Sequence, residues 1–231
     1  MDQIVINPAT DALLSVDEIY TFYPQREGLP GGELPVARAW ETVPASAQVN
    51  RKFESIGALC VAIIDAHKRG EYGHCSWAVR WDMNPFDVIE LHGHSQMLWP
   101  VHGEDETPSI EPIAELEMTV ERGWIHFKKG QDPDVDSYSG FRENWGPDGT
   151  RKSTALGDLV RMHRKRRIFV KGHARDYCPL WTALDGVDED FEVYFIWDLC
   201  APVDPTSDDS VRQQLIDKGV HIIMADDIVV A

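Results

Sequence analysis

Between Ala47 and Trp81 the apolar residues change their spacing, from steps of three and four to steps of two. No single element carries both periods, so the chain has to pass from helix to strand within that stretch. Val49, Phe53, Ile56, Cys60, Ile63 and His67 share one face of a helix predicted over Ala47 to Arg69. Ser46 is suited to cap its start, and Gly70 follows the last-turn cations Lys68 and Arg69. From Cys75 onward, Cys75, Trp77, Val79 and Trp81 alternate with Ser76, Ala78, Arg80 and Asp82, as a half-buried strand requires.

The rest of the chain extends that pattern. Phe86 to His94 and Gln96 to Val101 read as strands, and Leu116 to Glu121 is expected to pair with Trp124 to Lys129 across the tight loop Arg122-Gly123. Further strands are expected at Ile168 to Val170, Phe191 to Leu199 and Val220 to Met224, with helices over Leu156 to His163 and over Asp208 to Lys218 before Gly219. Residues 7 to 46, punctuated by Pro and Gly around Leu13-Leu14 and Ile19 to Tyr23, read as an irregular lead-in. Strands run together and helices stand apart, so the expected class is α+β, an antiparallel β-meander packed with a few helices. One domain over 1–231 is expected, with the Gly- and Asp-rich segment 131–152 as the boundary if there are two lobes. A chain that is 43% apolar with eight Trp can bury a core of that kind.

Charge is sorted along the chain. Trp81 to Glu121 and Asp176 to Val211 each carry ten carboxylates and no Lys or Arg, while Arg151 to Arg175 carries nine bases against the single acid Asp158. The formal charge of -17 repels nucleic acid and attracts basic surfaces. Direct nucleic-acid binding by Arg161 to Arg175 is therefore disfavoured, and that island is expected to meet acidic blocks of the same chain or of a second copy in a homodimer. The N-terminus lacks the basic segment and apolar run of a secretory signal, and the longest apolar run, Ile56 to Ile64, is nine residues, which points to a cytoplasmic protein without a membrane span. Cys60, Cys75, Cys178 and Cys200 form no Cys-x-x-Cys and read as reduced core thiols.

Candidate chemistry is sparse. His92-Gly93-His94 places two imidazoles on one face of a strand, the geometry of a metal-binding pair, with Glu90, His102 and His126 as further donors at no diagnostic spacing. Asp132, Asp134, Asp136 and Glu143 stand at positions 1, 3, 5 and 12 of a loop, the spacing of an EF-hand-like calcium site, but Ser137 replaces the turn glycine and no helix enters the loop, so no tight calcium site is expected. No Gly-x-Ser-x-Gly, phosphate-cradling loop, dinucleotide fingerprint or Ser-x-x-Lys occurs.

These observations favour a non-enzymatic acidic protein that imitates nucleic-acid charge and occupies the basic groove of a nucleic-acid-binding partner, such as a restriction or RNA-guided complex. The partner-binding residues expected are Glu104, Asp105, Glu106, Glu111, Glu115 and Glu117, with Asp188, Glu189 and Asp190 as a second group. On this reading there is no catalytic residue, metal or cofactor. The alternative is a small metal-dependent hydrolase built around His92 and His94.

Overall fold

The computed structural model describes residues 3–231, so Met1 and Asp2 of the N-terminal reading lie outside the described residues. Six strands form one sheet: β1 Asp11–Val16, β2 Leu59–Asp65, β3 Trp124–Lys129, β4 Arg167–Gly172, β5 Glu192–Ile196 and β6 His221–Ile223. All neighbours pair in parallel, in the order β3-β2-β1-β4-β5-β6. Four helices flank it: α1 Ala39–Ser55, α2 Leu156–Met162, α3 Cys178–Asp188 and α4 Asp208–Lys218. Phe53 of α1 packs with Leu13, Cys60 and Phe169 on one face. On the other face Val160, Ala183 and Leu215, from α2, α3 and α4, pack with Leu14, Val61, Ile168 and Phe195.

This is an α/β fold, and it overturns the expected antiparallel meander. A parallel sheet covered on both faces buries every side chain of its central strands, so they read as continuous apolar runs rather than alternations. All six residues of β1 and all seven of β2 are buried. The same burial explains the misplaced helix. The helix runs over Ala39–Ser55, and Cys60 and Ile63 belong to β2; a fully apolar run satisfies any periodic template. The alternation from Cys75 to Trp81 is instead a loop ending in a short 3-10 turn, Ala78–Trp81, with Val79 exposed. Leu116 to Glu121 forms no strand, and β3 pairs with β2 rather than in a hairpin across Gly123. Among the described residues, antiparallel pairing amounts to two small ladders, Val88–Leu91 with His94–Met97 and Arg142–Trp145 with Arg151–Ser153, and one isolated bridge between Ile19 and Pro112.

The central pair β1 and β4 is where the fold creates its crevice. The chain leaves β1 toward the α1 face and β4 toward the α3 face, so the loops part at the carboxyl ends of the two strands. Gly172 closes β4 there at φ +123°, and a Cβ on it would stand 1.8 Å from the Val16 carbonyl oxygen. Only glycine permits this approach. No helix among the described residues is long and apolar enough to cross a membrane.

Candidate active site

Three buried groups meet at that crevice. Asp17 is the residue after β1, Lys129 ends β3, and Cys178 opens α3 just beyond β4. Asp17 is 0% exposed, Lys129 2% and Cys178 7%. The Lys129 ammonium stands 3.5 Å from Cys178 Sγ and 3.2 Å from Asp17 Oδ2, and donates to Asp65 Oδ1 at 2.7 Å and to the Ser137 carbonyl at 3.0 Å. Its approach to Asp17 is off the hydrogen-bond direction, and neither Asp17 oxygen has an aligned partner.

The electrostatics follow from burial. Desolvation pushes the Asp17 carboxyl up to about 7 against the pull of Lys129, with Asp65 adding to the rise. Burial by itself lowers the Lys129 ammonium, but Asp17 and Asp65 overcome it and hold Lys129 well above its usual range. Burial also holds the Cys178 thiol well above its usual value, with Asp17 and Asp65 reinforcing and Lys129 opposing the rise. At rest the thiol is therefore protonated, and the acceptor poised near neutrality beside it is Asp17. A thiol, a carboxylate of balanced basicity and a fixed cation at a helix start are the parts of a cysteine nucleophile with its base.

A second cluster adjoins the first. Asp65 Oδ2, His67 Nε2 and His102 Nε2 converge with separations of 3.0, 3.5 and 3.3 Å. Ligand atoms about 2.1 Å from a tetrahedral ion are ~3.4 Å apart, so this donor set fits a divalent metal such as zinc. The outer nitrogens have carbonyl partners, His67 Nδ1 at Gly130 (3.4 Å) and His102 Nδ1 at Pro100 (2.8 Å), which turns both Nε2 lone pairs inward. His74 lies against His67 but is already spent, Nδ1 on Ser76 Oγ at 2.8 Å and Nε2 on the Asp132 carbonyl at 3.1 Å. A cavity lined by Phe22, Leu34, Trp99, Tyr138 and Tyr177 opens onto both clusters, and its walls suit a flat ring.

The residues singled out in the sequence lie elsewhere. His92 sits in a tight turn at φ 52° with Nε2 on the Asp134 carbonyl at 3.1 Å, and His94 stacks on Trp145 at 4.1 Å. They do not converge on a third donor, and of the donors named with them only His102 reaches the cluster. In the Asp132 to Glu143 loop, Arg80 holds Asp134 at 2.6 Å, and Asp136 accepts from Gln96 and from the Ser137 N–H, each at 2.8 Å. The acidic blocks, base-free in sequence, acquire bases in space: Arg69 on Glu104 and Lys128 on Asp105 at 2.6 Å each, Arg122 on Glu117 at 3.6 Å, and Arg26 near Glu115 at 4.0 Å. In the second group Lys218 meets Asp188 at 2.5 Å and Arg142 and Arg161 meet Glu189. Asp190 lines the same surface depression as Arg166 and Arg167, while Glu106 and Glu111 are exposed. Arg161, Arg167, Lys171 and Arg175 of the basic island each pair with an acid of the same chain. Asp17, Asp65, His67, Lys129 and Cys178 are not among the residues the sequence singles out as a site. Asp17, Asp65 and His67 share one signal, a polar residue closing or following an apolar run, which has meaning only once the runs are recognised as parallel strands; Lys129, ending an alternating strand, and Cys178, opening a helix, carry none.

No family model matches the chain. It is 31% identical to the nicotinamidase of Escherichia coli K12 over 190 residues, 81% of this chain and 84% of that protein. The solved nicotinamidase/pyrazinamidase of Acinetobacter baumannii superposes with a TM-score of 0.82 at 32% identity, covering 96% of this chain and 99% of that one. The pyrazinamidase of Pyrococcus horikoshii, solved in complex with zinc, gives a TM-score of 0.72 at 28% identity over 93% and 98% of the two chains.

Proposed function

The chain belongs to the nicotinamidase family, and from that premise we infer that it hydrolyses the carboxamide of a small nitrogen-containing aromatic ring to the acid and ammonia. The observation that carries this reading is the meeting of Cys178, Asp17 and Lys129 where Cys178 and Lys129 line a cavity walled by aromatic rings, with Asp17 buried behind them. Asp17 takes the thiol proton, and Lys129 balances the thiolate so formed. Sγ attacks the amide carbon, and the developing oxyanion is met by the Cys178 backbone N–H at the start of α3, which has no intrahelical partner, the next residue, Pro179, having no N–H to offer. The C–N bond breaks as Asp17 returns its proton to the nitrogen; ammonia leaves and the acyl group stays on sulfur as a thioester. A water molecule then gives its proton to Asp17 and its oxygen to the acyl carbon, and the released thiolate recovers the proton. An ion held by Asp65, His67 and His102 would supply a Lewis acid for a lone pair of the substrate ring.

This reading replaces the non-enzymatic, nucleic-acid-mimicking inhibitor expected from the charge pattern, which the kinship to nicotinamidases overturns. The hydrolase alternative is nearer in class, with its centre moved from His92 and His94 to Cys178 and Asp65. The test is ammonia release from nicotinamide and from pyrazinamide. Turnover that falls at least about 10³-fold in Cys178→Ala is expected. A metal-supplemented wild-type protein that releases no ammonia from either amide overturns the reading.

A further inference from the structure

Behind the site lies an ion pair that the chemistry above does not use. Glu18 and Lys171 are 1% and 0% exposed, and Lys171 Nζ contacts Glu18 Oε2 directly. Ser46 of α1 donates to Glu18 Oε1 at 2.7 Å, and Ser15 of β1 donates to Oε2. Lys171 reaches the same two hydroxyls, Ser46 Oγ at 2.7 Å and Ser15 Oγ at 3.2 Å. Every charge is thus matched, and the cluster joins β1, β4 and α1 where the crevice opens.

Stability alone is a poor reason for such a pair. Removing two ions from water costs about what their attraction returns, and well-packed apolar replacements are often neutral or stabilising. Its place in the chain is more informative. Glu18 follows Asp17, and Lys171 leads through Gly172 into the segment that ends at Cys178. Asp17 itself is held at φ 54°, a left-handed conformation that costs a non-glycine residue ~1 kcal/mol and persists only where its surroundings fix it. Beyond its 3.2 Å ion pair with Lys129, the Asp17 side chain has no aligned hydrogen bond to hold it. What holds this segment is its backbone, through the Asp17 N–H on the Ile63 carbonyl at 2.8 Å and the Ile113 N–H on the Glu18 carbonyl at 3.1 Å, together with the buried Glu18 side chain.

We propose that the Glu18–Lys171 pair is a positioning device: it ties the chain segment that presents the base to the one that presents the nucleophile, and so sets the Asp17 carboxylate against the Cys178 thiol. The proposal rests on the assignment of Cys178 and Asp17 given above.

The deciding variant replaces both ions with apolar groups, Glu18→Val with Lys171→Met, in the full-length protein. Its melting temperature is expected to be close to that of wild type or above it. Its kcat on nicotinamide should fall at least about tenfold at nearly constant KM, because a base displaced by a fraction of an ångström fails in the step and not in binding. Alkylation of Cys178 by iodoacetamide, followed by mass spectrometry, should slow in parallel. A folded double variant with wild-type kcat and alkylation rate overturns the proposal. If the double variant does not fold, Ser46→Ala decides, since it removes a hydroxyl and leaves both charges: about threefold lower kcat at unchanged KM supports the pair, and an unchanged kcat overturns it. A wild-type protein with no amidase activity and an inert Cys178 overturns instead the assignment that the pair serves.

Discussion

Asp17 must be ionised before it can accept the thiol proton, and its carboxyl is pushed up to about 7. Alkylation of Cys178 by iodoacetamide is therefore expected to accelerate as pH rises through about 7, and Asp17→Asn should remove that dependence while slowing amide hydrolysis by about 10²–10⁴-fold. A stopped assay with mass spectrometry over pH 5 to 9, roughly two units either side of 7, reads both. The sign for folding is opposite: with the folded value above the ordinary 3.8, stability drawn from protonated Asp17 is complete below about 4 and is lost as pH climbs through about 7. The metal donors make a second test. Zinc affinity measured by calorimetry should drop about 10²-fold or more in His102→Ala and stay unchanged in His92→Ala, whose imidazole lies in a surface turn. Little of this was legible from residues alone. His92-Gly93-His94 attracts the eye because the two donors are adjacent in sequence, whereas His67 and His102 are 35 residues apart and meet only through folding. Cys178 resembles any core thiol until Asp17 and Lys129 are placed beside it.

At the level of elements, a helix is legible where its end residues mark it. The helix Asp208–Lys218 lies where the sequence puts it, although only Val211 and Leu215 are buried, because Asp208 and Asp209 open it and Gly219 closes it at φ 85°; α3, which has no such acidic start or closing glycine, is not visible in the sequence. β4 and β6 also read as short apolar runs, whereas β1 is masked by the Pro-rich lead-in around it and the apolar run of β2 fits a helical period as well as a strand. Burial on both faces erases the period that would have distinguished them. Two predictions rest on the packing so revealed. Phe53→Ala should cost about 3–5 kcal/mol in chemical denaturation, since its ring fills the space between α1 and Phe169, with centroids 5.1 Å apart; Ile56→Ala, just past the helix and half-buried, should cost less. Gly172→Ala should cost more than about 3 kcal/mol or prevent folding, because its methyl group has no room against Val16. A small loss there would show that β1 and β4 can part without harm.

For the whole molecule, 39 acids against 22 bases leave a surface that repels itself even after the ion pairs between distant segments are counted. Added salt shortens the screening length from about 30 Å at 0.01 M to about 3 Å at 1 M. Melting temperature is therefore expected to rise with sodium chloride over that range, and a fall would mean that the native ion pairs outweigh the repulsion. The charge blocks that suggested a partner surface are, in three dimensions, partly answered by bases that arrive from other elements, a pairing that no linear count of residues registers. One carboxylate couples the two halves of the site. Asp65 gives Oδ1 to Lys129 and turns Oδ2 toward His67 and His102, so a cation on one oxygen and the ammonium on the other draw on the same negative charge. Thermodynamic reciprocity then applies to the equilibria: whatever an ion at Oδ2 would do to the free energy of acylating the thiol beside Lys129, acylation would do in return to the affinity for the ion, so that on the proposed reading the acyl state would be registered in the hold on the ion.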